Sequence, residues 1–495
     1  MSKLIASPVI TGLWQIADME RDGKQTDHKV LAGEMKRYID AGLDTFDMAD
    51  HYGSSELITG RLIKDYPGTA GKFFTKWVPD PANITKEETR KAVVKALERM
   101  NLQQLPLLQF HAWQYANPNW LDCLWWLEEL RDEGLIAGIG VTNFDTVHLD
   151  IALKSGIKIV SNQVCFSLLD QRAFHGFTGV EGASTKQEYH TTPLPGSMLE
   201  LCEREGVALL AFGTVAGGFL TEKWIGKPEP TGEQLSNWSL MKYKRFIDTA
   251  GGWDKFQSLL SVLHELATEK NVSVANIASA YILGTTGVSS VIIGARLGER
   301  SHIKSNLKLK SLKLDEKERR KFGSVISSFH PIPGDCGDEY RKPPYLTASG
   351  DLSHHLSTLP KPFKTELKQS GRLHVYTGTV WEPMAGYSRA VRTGNEVHVS
   401  GTTATHNNRV IGGNDPAAQT HFILDKIEGA LLSAGATMEE IVRTRIFIKS
   451  ADIWEPVARA HGRRLGHVMP ANTMVTAGMI GEEYLVEVEV ELRMK

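Results

Sequence analysis

The stretch LDTFDMADHYG (43–53) carries Asp47 and Tyr52 at the end of an apolar run, and the next two apolar runs, FFTKW (73–77) and LPLLQFHAW (105–113), carry Lys76 and His111 at theirs. These four residue types suit one chemistry. A tyrosine hydroxyl titrates near ~10 in water, too high to trade a proton readily at neutral pH, so a neighbouring ammonium is needed to favour the phenolate. Lys76 supplies that charge and is expected to lower the pKa of Tyr52, while a carboxylate such as Asp47 would hold the ammonium protonated in a partly dry pocket. His111 would orient a substrate oxygen. Taken singly, each has a bland alternative: an Asp capping a turn, a Tyr packed on a rim, a surface Lys, a core His bonded to a carbonyl.

The pattern around the stretch decides between these readings. From residue 8 to about 325, short apolar strands alternate with amphipathic helical segments, which predicts a parallel sheet with crossover helices. Eight strands are expected: PVITGLW (8–14), LDTFDMA (43–49), KFFTK (72–76), LPLLQFHA (105–112), AGIGVTN (137–143), KIVSNQV (158–164), VALLAFG (207–213) and SSVIIGA (289–295). Between them helices have recognisable ends: Thr85 with Glu88 forms a capping box, and Asn117–Pro118 opens a helix that Gly134 closes. Eight such units read as an α/β (β/α)8 TIM barrel, whose active sites lie at the C-terminal ends of the strands. The four residues sit there, and a random core His or Asp has no reason to respect strand ends. In type and position they resemble the Asp, Tyr, Lys, His tetrad of the aldo-keto reductases, over roughly residues 5 to 325.

That resemblance implies hydride transfer from a nicotinamide, with NADPH (NADP+) as cofactor, to an aldehyde or ketone whose developing alkoxide Tyr52 protonates. It implies that Asn143, Thr142 and Gln163, in GVTNF and SNQVCF, hold the carboxamide, with Thr142 standing where the family usually has serine. Phe212 falls where the family stacks an aromatic ring, more often tyrosine, on the nicotinamide; stacking needs only the π-face. Gly213 opens the run GTVAGG, whose glycines would let the backbone approach a pyrophosphate, although turns explain such runs too. In IIGARLGERSHIKSN, which includes Gly294, the resemblance implies Arg296 and Arg300 near a 2′-phosphate and Asn306 near the adenine. No GxGxxG follows a strand, so the barrel's own loops must bind the dinucleotide. Trp14, Trp77 and Trp113 lie beside catalytic strand ends and either line an apolar substrate slot or pack in the core. Residues 172–196, a long loop on the catalytic face carrying Tyr189 and His190, form either a lid or a passive insertion. A second long segment, WIGKPEPTGEQLSNWS (224–239), follows strand seven.

Residues 331–365 lose periodicity and collect Pro, Gly and Ser, as a linker should. The barrel is therefore assigned to 1–330 and a smaller α+β domain to 366–495. In the latter, strands AVRTG and EVHVSGTT precede a helix opened by Asp415 and Pro416, with Ile423, Ile427, Ala430 and Leu431 on one face. A capping box at Thr437 and Glu440 precedes VRTRIFIKS, and YLVEVEVELRMK closes the chain as another period-two strand. WEPMAGYSRAVRTGNEVHVSGTTA (381–404), GALLSAGA (429–436), MPANTMV (469–475) and LVEVEVE (485–491) resemble the Rid (YjgF-like) family, of chorismate-mutase-like fold. Deaminating members clamp a substrate carboxylate with the arginine of a PAR motif; here the motif reads Pro470, Ala471, Asn472, and the bidentate clamp is lost. Glu487 matches the family's water-handling glutamate, or belongs with Glu489 and Glu491 to a polar strand face. Asn472 and Glu487 are thus expected to mark the Rid cleft. The resemblance implies a homotrimer assembled through this domain. Two other functions stay open: a bifunctional reductase and imine or enamine hydrolase, and a cofactor-bound sensor with little turnover.

Composition limits the classes. The 495 residues suggest two or three units, and 56 basic against 58 acidic side chains leave no electrostatic footprint for nucleic acid or an anionic membrane. The mixed run KLDEKERRK (313–321) reads as a solvated helix face. Cys123, Cys165, Cys202 and Cys336 show no CxxC pair and no metal-like spacing with His, so no disulfide framework and no metal site are expected. With no leader in MSKLIASPVI and no apolar run of bilayer length, a cytoplasmic location is expected.

Overall fold

A computed structural model describes residues 4, 6–16, 27–177, 190–342, 345–348 and 351–495. Strands β1 (Val9–Gly12), β2 (Thr45–Asp47), β3 (Lys72–Trp77), β4 (Leu107–Phe110), β5 (Ile139–Thr142), β6 (Ser161–Cys165), β7 (Ala208–Phe212) and β8 (Val288–Gly294) pair in parallel and in chain order, and β8 closes on β1. Each overlaps its expected run; β3, β6 and β8 extend one residue beyond theirs, to Trp77, to Cys165 and from Val288. Their near-continuous apolar character follows from burial on both faces, with helices outside and the barrel interior within.

Side-chain alternation sorts the two faces. Phe46 and Phe73 point outward and stack at 6.0 Å, and Phe110 packs on Trp77 (5.4 Å) and Phe144 (6.4 Å) under the helices. Ile10, Phe74, Leu107, Leu210 and Ile292 point inward and form an apolar floor. Two residues further along, toward the C-terminal ends, the same inward face carries Lys76 above Phe74, Gln109 above Leu107 and Phe212 above Leu210. The interior thus has an apolar base and a polar top. The Thr85–Glu88 capping box forms as expected, ahead of helix Lys86–Met100, and Asn117 accepts from the amide of Asn119 at the start of the next.

The second unit is a seven-stranded sheet. Its strands are β9 (Lys364–Leu367), β10 (Leu373–Tyr376), β11 (Ala390–Thr393), β12 (Glu396–Thr403), β15 (Ile441–Ile448), β16 (Ala471–Thr476) and β17 (Val486–Arg493), in the order β16-β15-β17-β12-β11-β10-β9. Strands β13 (Thr405–His406) and β14 (Arg409–Val410) form a separate hairpin. Only β15 and β16 pair in parallel. Strands β9, β10 and β16 and helix Trp454–Leu465 were not expected from periodicity; β9 is mostly exposed, β10 is a four-residue strand with Val375 alone buried, and β16 is a polar, exposed edge whose pairing comes only from β15.

Helix Pro416–Ala434 is buried on nearly every side. One side lies on the sheet and another meets the barrel helix Thr146–Lys154. At that junction His148 is held between two carboxylates, with Nδ1 2.6 Å from Asp145 and Nε2 2.9 Å from Asp425, and its ring stacks on Tyr115 at 3.4 Å. Arg464 also pairs with Asp425, and Arg463 reaches Asp335 at 2.6 Å. A Cβ on Gly429 would overlap the carbonyl of Ala116, so the helix can approach the barrel loop this closely only with glycine there. Of the segment expected as a linker, 331–365, residues 331–342 pack over the barrel's C-terminal face and include the short helix Asp338–Arg341. Arg341 donates to the carbonyls of Ala112 (3.0 Å) and Asn143 (2.6 Å), and Asp335 accepts from the amide and hydroxyl of Thr146. Gly337, at φ +81°, sits where a Cβ would overlap the Asn143 carbonyl. Among the described residues no helix is long and apolar enough to cross a membrane.

Candidate active site

The polar top of the barrel opens into a cavity of about 820 Å³. Asp47, from the end of β2, accepts from Lys76 Nζ at 2.6 Å, from Gln163 Nε2 at 2.7 Å and from Gln109 Nε2 at 3.0 Å. Lys76 also donates to the Met48 carbonyl at 2.8 Å, and its ammonium lies 4.9 Å from the centre of the Tyr52 ring. Tyr52 leaves the loop after β2 and is wedged between Trp14 and His51, each with ring centroids 4.9 Å away and nearly perpendicular. Both ionic partners are almost wholly buried, so burial pulls the Lys76 pKa down while Asp47 pushes it back up.

The phenol behaves differently from the expectation. Burial, first, and then the carboxylate of Asp47, Tyr340 and Asp50 raise the Tyr52 pKa well above its ordinary value. The expected lowering by Lys76 is outweighed, first by burial of the hydroxyl and then by the charges of Asp47, Tyr340 and Asp50. Tyr52 is therefore held protonated, a state fit to donate rather than accept.

His111, beyond β4, is kept neutral: burial, then Arg341, depress its pKa well below the ordinary value. Its Nδ1 is 3.4 Å from the Thr142 carbonyl, a long contact that holds the ring loosely, and its buried Nε2 has no hydrogen-bond partner among the described residues. Its ring meets Trp113 edge-on at 4.6 Å and Tyr340 at 6.0 Å.

Asp47, Tyr52, Lys76, His111, Trp14 and Trp113 line this one cavity, as do Thr142, Asn143, Gln163, Phe212, Gly213, Gly294, Arg296, Arg300 and Asn306. Trp77 does not. It is 6% exposed and packs on Phe110, so the outward parity of its position in β3 makes it a core residue and corrects its assignment to the substrate slot. Of the 172–196 loop, residues 178–189, Tyr189 included, lie outside the described residues; His190 packs on His175 with ring centroids 5.8 Å apart.

A dinucleotide suits the donor set. Besides His111 Nε2, the buried Asn143 Oδ1 and Asn306 Nδ2 lack partners among the described residues, and both residues line the cavity. Unpaired buried polar atoms are costly unless a ligand completes them. Arg296 accepts orientation from Gln15, to which its Nε donates at 3.0 Å.

Sequence reasoning missed several lining residues, three of them ionisable or aromatic groups beside the tetrad. Tyr340 and His355, from the 331–365 segment, and Lys242, from helix Trp238–Thr249, line the same cavity. No motif marks them, because two lie in an aperiodic stretch and the third on an amphipathic helix. Among the described residues one group has metal-like proximity, Cys165, Asp170 and Glu339. There a guanidinium already serves as the cation, with Arg172 2.6 Å from Asp170 and 2.8 Å from Glu339.

In the second unit Asn472 and Glu487 do not come together. Asn472 donates to Thr444 Oγ1 at 2.8 Å on the buried, helix-facing side of the sheet, whereas Glu487 alternates onto the open side with Glu489 and Glu491. Within the chain, register assigns the two side chains to opposite faces (Thr444 opposite Val490, Phe447 opposite Glu487), and the clefts expected of this family lie between subunits.

Comparison with known proteins agrees with this division. The profile of the Aldo/keto reductase family matches residues 8–326, and that of "Endoribonuclease L-PSP" matches residues 378–492. The aldo-keto reductase YhdN of Bacillus subtilis is 22% identical over 68% of this chain and 95% of its own. The NADH-specific methylglyoxal reductase of Escherichia coli is 22% identical over 58% of this chain and 86% of its own. A solved structure of Rv2704 from Mycobacterium tuberculosis, a member of the YjgF/YER057c/UK114 family, is 39% identical over 25% of this chain and 99% of its own, with a TM-score of 0.23. The barrel that builds the cavity thus makes this chain a member of the aldo-keto reductase family, and a Rid/YjgF-like unit follows it.

Proposed function

We propose that this chain is an NADP(H)-dependent reductase of aldehydes or ketones, with Tyr52 as general acid, Lys76 and Asp47 as its supporting ion pair and His111 placing the substrate oxygen. The observation that carries the reading is the convergence of these four side chains, with Asn143 and Asn306, on one cavity at the C-terminal ends of the strands. A bound nicotinamide cofactor supplies the hydride. Phe212 offers its ring face, Asn143 and Gln163 the carboxamide contacts, Asn306 the adenine contact, and Arg296 and Arg300 the charge for a 2′-phosphate. The Tyr52 hydroxyl gives its proton to the substrate oxygen as negative charge develops there, and the buried Lys76 ammonium offsets the charge left on the phenol. Such general acid catalysis is worth typically ~10²- to 10⁴-fold. Tyr52→Phe should therefore lower kcat by that range with cofactor affinity nearly unchanged; wild-type turnover in the variant under chemistry-limited conditions would refute the assignment.

Preference for NADPH rests on the two arginines, and the NADH specificity of the Escherichia coli relative makes it a point to measure. Arg300→Ala together with Arg296→Ala should weaken NADPH at least ~10-fold and leave NADH unchanged, since each charged hydrogen bond contributes ~1.5–3 kcal/mol. Domain limits of 1–330 and 366–495 are proposed, with a joining segment that adds Tyr340 and His355 to the barrel's cavity and begins the second sheet at Lys364. The second unit is proposed to assemble the protein, as a homotrimer. The open sheet face, with Arg445 paired to Glu489 and Glu491, and the exposed Met469 and Ile480 support a contact there. Light scattering of the intact protein tests it; a monomer would refute it.

A further inference from the structure

Lys242 is a buried cation in the substrate cavity that the mechanism above does not use. It is 5% exposed, and its ammonium is surrounded by the rings of Tyr340 (4.6 Å), Phe212 (5.0 Å), Tyr243 (5.3 Å) and Phe246 (5.6 Å). Its hydrogen-bond partner is the Tyr340 hydroxyl at 2.7 Å, and no carboxylate lies within 4 Å of it among the described residues. Glu339, the nearest acidic influence, is already paired with Arg172 at 2.8 Å. Burying an ammonium against aromatic faces and one neutral phenol is costly unless a negative group joins it. The location is also specific. The Tyr340 ring contacts both groups, with its centroid 4.6 Å from the Lys242 ammonium and 6.0 Å from that of the His111 ring, and His111 marks where a carbonyl oxygen would sit.

We infer that the substrate is an aldehyde or ketone that also bears a carboxylate, and that Lys242, positioned by Tyr340, is the residue that selects it. This deepens the carbonyl-reductase reading and rests on it. A single ammonium in an apolar wall balances one negative charge, which favours a carboxylate over a doubly charged phosphate. The alternative is that Lys242 only balances Glu339, in which case replacing it would alter stability and not selectivity.

The test uses the intact protein with NADPH and two matched aldehydes, 4-carboxybenzaldehyde and 4-carbamoylbenzaldehyde. Wild type should favour the carboxylate in kcat/KM by ~10- to 100-fold, mainly through KM, as a charge-assisted hydrogen bond predicts. Lys242→Met should bring that ratio to about one. Tyr340→Phe keeps the ammonium and should keep a clear preference, which guards against a general packing defect. A wild-type ratio near one, a preference that survives Lys242→Met, or equal loss on both aldehydes would overturn the inference. If neither aldehyde is reduced, the reductase reading fails on its own, and calorimetric titration of 4-hydroxymethylbenzoate decides the anion site. Binding by wild type that is lost in Lys242→Met supports it; no binding, or equal binding by both, overturns it.

Discussion

Replacing Lys76 by methionine removes a charge from the driest part of the barrel and keeps most of the side chain's volume. The partner left behind, Asp47, is 4% exposed and retains two amide donors, Gln163 at 2.7 Å and Gln109 at 3.0 Å, but loses its ammonium at 2.6 Å. Breaking a buried pair by removing one member costs ~3–5 kcal/mol, because the other charge stays desolvated. The two amides place Lys76→Met toward the lower end, about 3 kcal/mol. Asp47→Asn strands the ammonium with only the Met48 carbonyl at 2.8 Å and should cost a similar amount. The double variant contains no buried charge, so it should fall well short of the sum, giving a coupling energy of ~2–3 kcal/mol, within the range found for residues in contact. The assay is denaturant unfolding of the intact protein followed by tryptophan fluorescence. That signal reports mainly on the barrel, since only Trp381 and Trp454 lie in the second unit. Additive single variants, with a double variant as unstable as their sum, would show that the ion pair does not hold the polar layer together. All three variants should lose turnover, so stability and activity separate cleanly in the double variant.

The junction between the two units should depend on pH in both directions. Although burial opposes it, Asp145 and Asp425 raise the His148 pKa, so its contribution is complete below the ordinary histidine range near ~6.5 and fades as pH rises through the raised value. Arg464 and His148 outweigh burial and bring Asp425 down to about 2, so its contribution is present above ~3.8 and fades as pH falls toward that value. Hydrogen-exchange protection factors in helix Pro416–Ala434, which divide out the pH dependence of the exchange chemistry, should accordingly be highest between about pH 4 and 6.5 and lower on either side; His148→Gln should remove the high-pH limb, and protection independent of pH in wild type would contradict the ion-pair reading. Gly337→Ala, which drives a Cβ into the Asn143 carbonyl at a positive φ, should detach the 331–365 segment, seen as new protease cleavage there and a raised KM. Gly429→Leu should separate the two units without unfolding either, read as two thermal transitions in place of one.

Much of the barrel was legible because its signals are local. Eight apolar runs at regular spacing set the strands, and capping residues such as Thr85 and Glu88 set helix starts through bonds that close within one turn. The tetrad was legible because strand ends are visible in sequence and its four residue types are chemically distinctive. Trp77 was misjudged because adjacency to Lys76 in sequence means the opposite face in a strand. Asn472 and Glu487 were grouped by family motif, and only the register of β15 against β16 and β17 separates them.

What the sequence determined by itself is thus the pattern that depends on nearest neighbours: the barrel, the second α+β unit and the residues at the ends of β2, β3 and β4. What only the tertiary structure decided depends on groups hundreds of residues apart sharing one dielectric. The Tyr52 phenol is raised rather than lowered because water is excluded around it and because Asp47 and the distant Tyr340 oppose its ionisation. Residues 331–342, in an aperiodic stretch rich in Pro and Gly, pack over the active-site face because Arg341, Asp335 and Gly337 fit the barrel's loop carbonyls and amides, contacts that leave no periodic trace. Through them Tyr340 reaches Lys242 across 98 positions of chain, and a pocket wall exists that neither stretch encodes alone.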